Sequence, residues 1–120
     1  MKSTLRLASI AGCLAVALGA FGAHALRPRL ALLGTAWIWE KAVLYHLAHA
    51  VALLALALGR PVNRWVVPLF AAGIFIFSGS LYVLALTNVQ WLGAITPFGG
   101  ACFLAGWLTL CCCAKEPAQK

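Results

Sequence analysis

Most of the side chains that could take part in chemistry lie in one apolar stretch near the middle of the chain. This stretch, Trp39–Leu58, reads WEKAVLYHLAHAVALLALAL, and its polar members are Glu40, Lys41, Tyr45, His46 and His49. On a helix, Lys41, Tyr45 and His49 share one face because they are four residues apart, and His46 lies on its flank. Ionisable groups on so apolar a helix must face protein, water or a ligand. The pattern therefore indicates a polar site on this face.

Further polar groups are expected to approach this face from the neighbouring segments. They are His24, Ser78, Ser80 and Thr96. In one interpretation the polar set is structural: His49 is hydrogen-bonded to Tyr45 and to Ser78 or Ser80, while Lys41 extends to lipid headgroups. In the other, the set forms a functional site that is entered from the outer face of a membrane. The residues alone leave both interpretations open.

The acidic residues limit what such a site could do. The chain holds two acidic residues, Glu40 and Glu116, and neither is Asp. This excludes, within one chain, the carboxylate pair of a glycosidase and the four Glu of a di-iron bundle. Phosphate-binding loops and the G-x-S-x-G elbow are also missing from the sequence. We therefore expect a protein that is not an enzyme and has no catalytic residues.

Histidine and cysteine chemistry is the remaining possibility. His24 with His46 or His49 could hold haem or a metal ion across two helices, but supporting groups are not evident, so no cofactor or metal is predicted. The five cysteines lack C-x-x-C spacing and are interpreted as small apolar residues; they are Cys13, Cys102, Cys111, Cys112 and Cys113.

Composition indicates which elements position these groups. The 120 residues are 64% hydrophobic and 9% charged, with a mean hydropathy of +0.98, whereas soluble domains carry about 25% charged residues. A membrane helix needs about 20 apolar residues. The chain therefore predicts an all-α integral membrane bundle of four transmembrane helices, at residues 5–26, 39–58, 66–86 and 93–113, in a single domain spanning 1–120. Segment 30–38 is expected to lie at the interface, with Trp37 and Trp39 at headgroup level.

The first apolar run resembles a signal peptide, with Ala23-His24-Ala25 as a cleavage site. Its length favours a retained helix, because signal sequences have apolar cores of only about 7–15 residues. Four helices place both termini on one side of the membrane. Of the nine Lys and Arg, six fall on the side of the termini and three on the other. By the positive-inside rule, both termini are expected in the cytoplasm. The same scattered charges do not form a basic face, so no nucleic-acid partner is expected.

Glycines predict how the helices pack. Ala8, Gly12, Ala15, Gly19 and Gly22 recur at spacings of three and four, which places small residues on one helix face. Such faces let membrane helices approach closely. Packing roles are also predicted for Gly79, Gly99, Gly100 and Gly106. The Thr96–Gly100 segment, TPFGG, is expected to bend or locally unwind the fourth helix.

Several motifs resemble those of the YgdD family of small bacterial inner-membrane proteins. They are GAFGAH at 19–24, WE at 39–40 with Tyr45 and His49, FSGSLY at 77–82, TPFGG at 96–100 and AGW at 105–107. The resemblance covers nearly the whole chain and implies a multi-pass plasma-membrane protein of a functionally uncharacterised family. His46 departs from the pattern, where the family often has Gln, which argues against an indispensable ligand there.

Three functions are compatible with these observations. The first is a small non-enzymatic binding or accessory component, whose partners are the lipid bilayer and a second copy or another membrane protein. The second is a small-solute transporter or channel that acts as an oligomer, suggested by the polar face and the TPFGG segment. The third is a haem or metal-binding membrane protein. The scarcity of catalytic groups favours the first.

Overall fold

The fold was analysed in a computed structural model that describes residues 1–113 of the chain. Between Met1 and Cys113 the chain is helical, with the first span at Lys2–Ala23, a connecting helix at Arg27–Leu33 and the second span at Ala36–Leu58. The third span is Val66–Thr87 and the fourth is Gln90–Cys113. Each span is long and apolar enough to cross a membrane. The predicted all-α bundle of four membrane helices is therefore confirmed. Residues 114–120, with Lys115, Glu116 and Lys120, lie outside the described part.

The helix ends differ from the predicted ones around the first connection. The first span ends at Ala23, three residues before the predicted end, and Pro28 lies in the first turn of the connecting helix. Proline is favoured there because it has no N–H to leave unpaired and its φ already suits a helix. Gly34, with a φ of 66°, ends the connecting helix in the left-handed conformation. The second span then begins at Ala36 rather than at Trp39.

Consecutive spans run antiparallel, and side-chain hydrogen bonds join them. Nε1 of Trp39 donates to the Leu18 carbonyl at 2.9 Å, which ties the start of the second span to the end of the first. The side chain of Trp39 is only 3% exposed, so it packs against protein rather than facing lipid or headgroups. Trp37 is exposed, as expected of an interfacial residue. Oγ1 of Thr35 donates to the Ala85 carbonyl, which joins the second and third spans at the same end of the bundle.

The third and fourth spans pack through glycines that face aromatic residues. A Cβ atom on Gly99 would overlap the backbone of Phe77, and one on Gly73 or Gly106 would overlap the ring of Phe103 or Phe70 respectively. In a membrane, where lipid is as apolar as the helices, such close packing drives association.

The predicted packing glycines differ in how closely a neighbouring residue approaches them. Gly22 lies against the Trp39 indole, and a Cβ on Gly19 would contact Val43 at 3.4 Å. For Gly12 and Gly79 the predicted packing role is wrong: among the described residues, a Cβ at either position has no neighbour within 4 Å. Gly100 is only in loose contact, with its nearest neighbour, Phe77, at 3.8 Å.

Regular α-helix is interrupted at two places in the third and fourth spans. In the fourth span, a 3₁₀ segment at Gln90–Ala94 precedes an α-helix at Thr96–Cys113. The break therefore comes before Thr96, and the predicted unwinding within TPFGG is wrong because Pro97 is in the first turn, where it is tolerated. In the third span, Ile74–Ser78 forms a π segment, which the sequence did not predict.

Candidate functional site

The polar residues predicted to form one site are distributed over different parts of the bundle. His24, Glu40 and Lys41 are exposed at the end that carries the connecting helix, called here the Arg27 end. Glu40 lines a crevice beside the first span, whereas Lys41 lines another that faces the start of the fourth. Eight residues along a helix rotate a side chain by about 80° and shift it by about 12 Å, so Lys41 and His49 face different neighbours. The predicted shared site of these residues is therefore not formed.

His49 is buried at the centre of an aromatic cluster between the second, third and fourth spans. Its ring stacks on Phe103 with centroids 3.6 Å apart, and the edges of Phe70 and Trp107 lie close to it. Nδ1 lies 2.8 Å from the Tyr45 carbonyl oxygen, and Nε2 lies 3.1 Å from Nε1 of Trp107. Because a carbonyl only accepts and an indole N–H only donates, Nδ1 carries the proton and Nε2 accepts.

This geometry corrects the predicted partners of His49. Neither Ser78 nor Ser80 bonds to it. Oγ of Ser78 donates to the Ala42 carbonyl at 2.8 Å, while Ser80 and Thr96 share a hydrogen bond of 2.7 Å. Tyr45 contacts His49 as predicted, but through its backbone carbonyl. All these bonds join neighbouring turns or neighbouring helices of the bundle.

His46 forms a second buried polar contact, which sequence reasoning had given less weight. The side chain is 4% exposed, and its Nδ1 lies 2.9 Å from the Tyr82 hydroxyl. His46 and Ala11 of the first span line the same crevice. His46 therefore lies where the first, second and third spans meet. Tyr82 and Trp107 were missed as partners of the two histidines, although both belong to the FSGSLY and AGW motifs that carried the family resemblance.

The arrangement leaves little room for metal or haem ligation. Both ring nitrogens of His49 are already bonded within the protein. His46 lies at the level of Ala11, thirteen residues before His24 on the first span. At a rise of 1.5 Å per residue, His24 and His46 are about 20 Å apart along the bundle, too far for a shared ion. Among residues 1–113, no three His, Cys, Asp or Glu side chains converge.

The buried polar groups are therefore used to hold helices together. In the part of the chain that the structure describes, every fully buried side-chain nitrogen or oxygen has a hydrogen-bond partner. An unpaired polar group at this depth would destabilise the folded protein by roughly several kcal/mol, so we expect such groups to be paired within the protein. The polar groups of the interior are thus donors and acceptors that are bonded to one another, and the imidazole of His49 is stacked on Phe103.

Comparison with known proteins agrees with these motifs. A family described as "Protein of unknown function (DUF423)" matches residues 18–100, which include His46, His49 and Tyr82. The chain belongs to the DUF423 family. Residues 101–113, with Trp107, lie beyond that match, so the Trp107–His49 hydrogen bond crosses its boundary. No solved structure matches the chain.

Several bacterial proteins that are similar to this chain carry the name UPF0382. A UPF0382 membrane protein of Staphylococcus saprophyticus is 44% identical over 114 residues, covering 92% of this chain and 94% of its own length. The membrane protein YwdK of Bacillus subtilis is 40% identical over 119 residues, with coverages of 92% and 94%. The inner membrane protein YgdD of Escherichia coli is 41% identical over 108 residues, covering 86% of this chain and 82% of YgdD. The predicted YgdD resemblance is confirmed, and the chain is a membrane protein.

Proposed function

We propose that this DUF423 protein is a non-enzymatic, multi-pass protein of the bacterial inner membrane that serves as a binding or accessory component for another membrane protein. The observation that carries the proposal is the use of the interior polar groups. Nε2 of His49, Nδ1 of His46 and Oγ of Ser78 are each hydrogen-bonded to a neighbouring helix, while Nδ1 of His49 is bonded to the Tyr45 carbonyl of its own helix. A rigid bundle of this kind offers its lipid-facing surface, rather than its interior, for binding.

Acid–base chemistry has little support in the same geometry. Within residues 1–113, Glu40 is the sole carboxylate, and it is exposed at the Arg27 end. General acid–base catalysis needs a donor or acceptor within about 3 Å of the reacting group and free to exchange a proton. The two buried histidines are instead bonded to Tyr45, Trp107 and Tyr82. These contacts favour a structural role for the histidines.

A relative supports placement in the inner membrane, and the distribution of charge supports the proposed orientation. YgdD, which is 41% identical, is named an inner membrane protein. The end of the bundle with Met1 carries Lys2 and Arg6, and the connection between the second and third spans carries Arg60 and Arg64. The opposite end carries Arg27, Arg29 and Lys41. With the two lysines of the C-terminal tail, six basic residues against three favour cytoplasmic termini.

Labelling with a membrane-impermeant thiol reagent tests this orientation. The five native cysteines are replaced by alanine, and single cysteines are placed at Gln90, Asn63 and the tail position Gln119. We expect intact cells to label the Gln90 site and to leave the Asn63 and Gln119 sites unlabelled until the membrane is permeabilised. Labelling of Gln119 in intact cells would reverse the proposed orientation.

Site-specific photo-crosslinking in living cells tests the accessory role. A photoreactive phenylalanine is placed on three lipid-facing positions: Val16, Phe75 and Leu108, which are 64%, 81% and 64% exposed. Because a partner covers one face of a bundle, we expect one position to give a discrete heterologous adduct and the others to give none. Adducts with a second copy alone, together with solute flux in proteoliposomes, would instead support the transporter interpretation.

A further inference from the structure

A groove open to the lipid descends from the Arg27 end between the first span, the connecting helix and the second span. Its upper part has a volume of about 350 Å³ and its lower part about 340 Å³, and the two parts share Gly22, Ala23, Leu30, Ala36 and Glu40. Small residues on the facing helices create this space. From Glu40 the groove continues to Leu47, seven residues further along the second span. At 1.5 Å per residue, the groove extends about 10 Å into the membrane.

Opposite charges stand at the mouth of this groove. Arg27 and Glu40 both line its upper part. The guanidinium of Arg29, the next basic residue, is bound within the protein, because it donates two hydrogen bonds to the Leu86 carbonyl. The hydrogen bonds found within residues 1–113 include neither the Arg27 guanidinium nor the Glu40 carboxylate. The mouth therefore presents one cation and one anion above an apolar channel.

We propose that this groove binds one phospholipid whose headgroup combines a phosphate with a primary ammonium, as in phosphatidylethanolamine. The Arg27 guanidinium holds the phosphate, because its planar fork matches two phosphate oxygens. The Glu40 carboxylate accepts hydrogen bonds from the ammonium. One acyl chain lies below, along Gly19, Val43 and Leu47. The net neutral pair of side chains complements the net neutral headgroup.

Charge complementarity selects this occupant over a second copy of the chain. An apolar helix face in the groove would strip water from Arg27 and Glu40 without pairing them, and such desolvation is costly. A phosphatidylglycerol headgroup would satisfy Arg27 through its phosphate, but its neutral glycerol hydroxyls would offer Glu40 no opposite charge. A phosphatidylcholine headgroup carries a quaternary ammonium, which has no N–H to donate to Glu40. The lipid site adds a specific ligand to the proposed binding role. It depends on the proposed function in one respect, namely that the groove lies in a membrane.

Native mass spectrometry of the full chain tests the proposal. The protein is incorporated in bilayers with equal amounts of phosphatidylethanolamine, phosphatidylcholine and phosphatidylglycerol, then released and analysed for retained lipid. We expect one phosphatidylethanolamine per chain, retained roughly tenfold over the other two lipids, because only its ammonium gives Glu40 a charged hydrogen bond. Glu40→Gln should equalise phosphatidylethanolamine and phosphatidylcholine, and Arg27→Gln should reduce retention of all three lipids.

Lys41→Gln is the matched control, because Lys41 is also an exposed cation near the same end but lines a different crevice. It should retain lipid as the unmodified protein does, and thermal unfolding in detergent should show all three variants folded. Equal retention of the three lipids by the unmodified protein would overturn the lipid site. Equal losses of retained lipid in Arg27→Gln and Lys41→Gln would also overturn it, as would a dimer that excludes lipid. The accessory role is tested separately by the crosslinks at Val16, Phe75 and Leu108, so the two proposals fail independently.

Discussion

Gly99→Ala is expected to destabilise the bundle by about 3 kcal/mol, at the upper end of the usual cost of overpacking. A Cβ atom at position 99 would lie 2.7 Å from Cα of Phe77 and would overlap the backbone nitrogen of that residue. A side chain can rotate away from such an overlap, but a backbone cannot. The third and fourth spans would therefore have to move apart. Because no hydrophobic force holds helices together in lipid, the loss of packing lowers the stability of the bundle directly.

Gly100→Ala is the control that shares the same helix and motif. A Cβ at Gly100 would find Phe77 at 3.8 Å, which is ordinary contact. Alanine also favours helix over glycine by roughly 0.5–1 kcal/mol, so this variant should be neutral or slightly more stable. Unfolding of both variants in mixed micelles with increasing denaturing detergent measures the difference. Equal stability of the two would show that the close approach at Gly99 is not required.

The number and position of the spans could be predicted because apolar length alone sets them. The packing faces could be predicted only in part. A strip of small residues shows that a close approach is possible, but it does not show where along the strip the partner helix crosses. Gly22 meets Trp39, whereas Gly12, ten residues earlier on the same helix, meets open space among the described residues. The π segment at Ile74–Ser78 made the packing faces still harder to predict, because a change in helical twist alters which residues of the third span face each neighbour.

The polar contacts were harder to predict than the spans. His46 and His49 are separated by about 60° around the helix, and this is enough to send one to Tyr82 and the other to Trp107. Sequence spacing places both on one broad face, but the partner depends on which helix lies beside each edge of that face. Trp39 was expected at the membrane interface and was therefore not recognised as the donor to the Leu18 carbonyl. Trp107 was noted only as part of the AGW motif. Glu40 and Arg27 line the same groove, although they are thirteen residues apart, because the connecting helix packs against both the first and the second span.

The aromatic cluster around His49 predicts the second large effect. His49→Leu should destabilise the protein by about 1–3 kcal/mol, because the indole N–H of Trp107 loses its acceptor in a partly buried position. The stacked contact with Phe103 is lost as well. His49→Gln should cost less, since the amide can both donate to the Tyr45 carbonyl and accept from Trp107. Detergent unfolding of the two variants side by side measures this difference.

A double-mutant cycle with Trp107→Phe isolates the hydrogen bond between the two side chains. We expect the double variant to be more stable than the sum of the single losses predicts, by about 0.6–1.7 kcal/mol, which lies between the average and the largest value measured for interhelical hydrogen bonds in membranes. Trp91→Phe is the control, because Trp91 is 66% exposed and lies in the 3₁₀ segment at Gln90–Ala94, outside the aromatic cluster around His49, so its effect should add to that of His49→Leu. The crosslinks of the proposed partner should persist in His49→Gln if the imidazole only holds helices together. A His49→Gln protein that is fully stable and yet loses those crosslinks would show that His49 acts in binding rather than in packing.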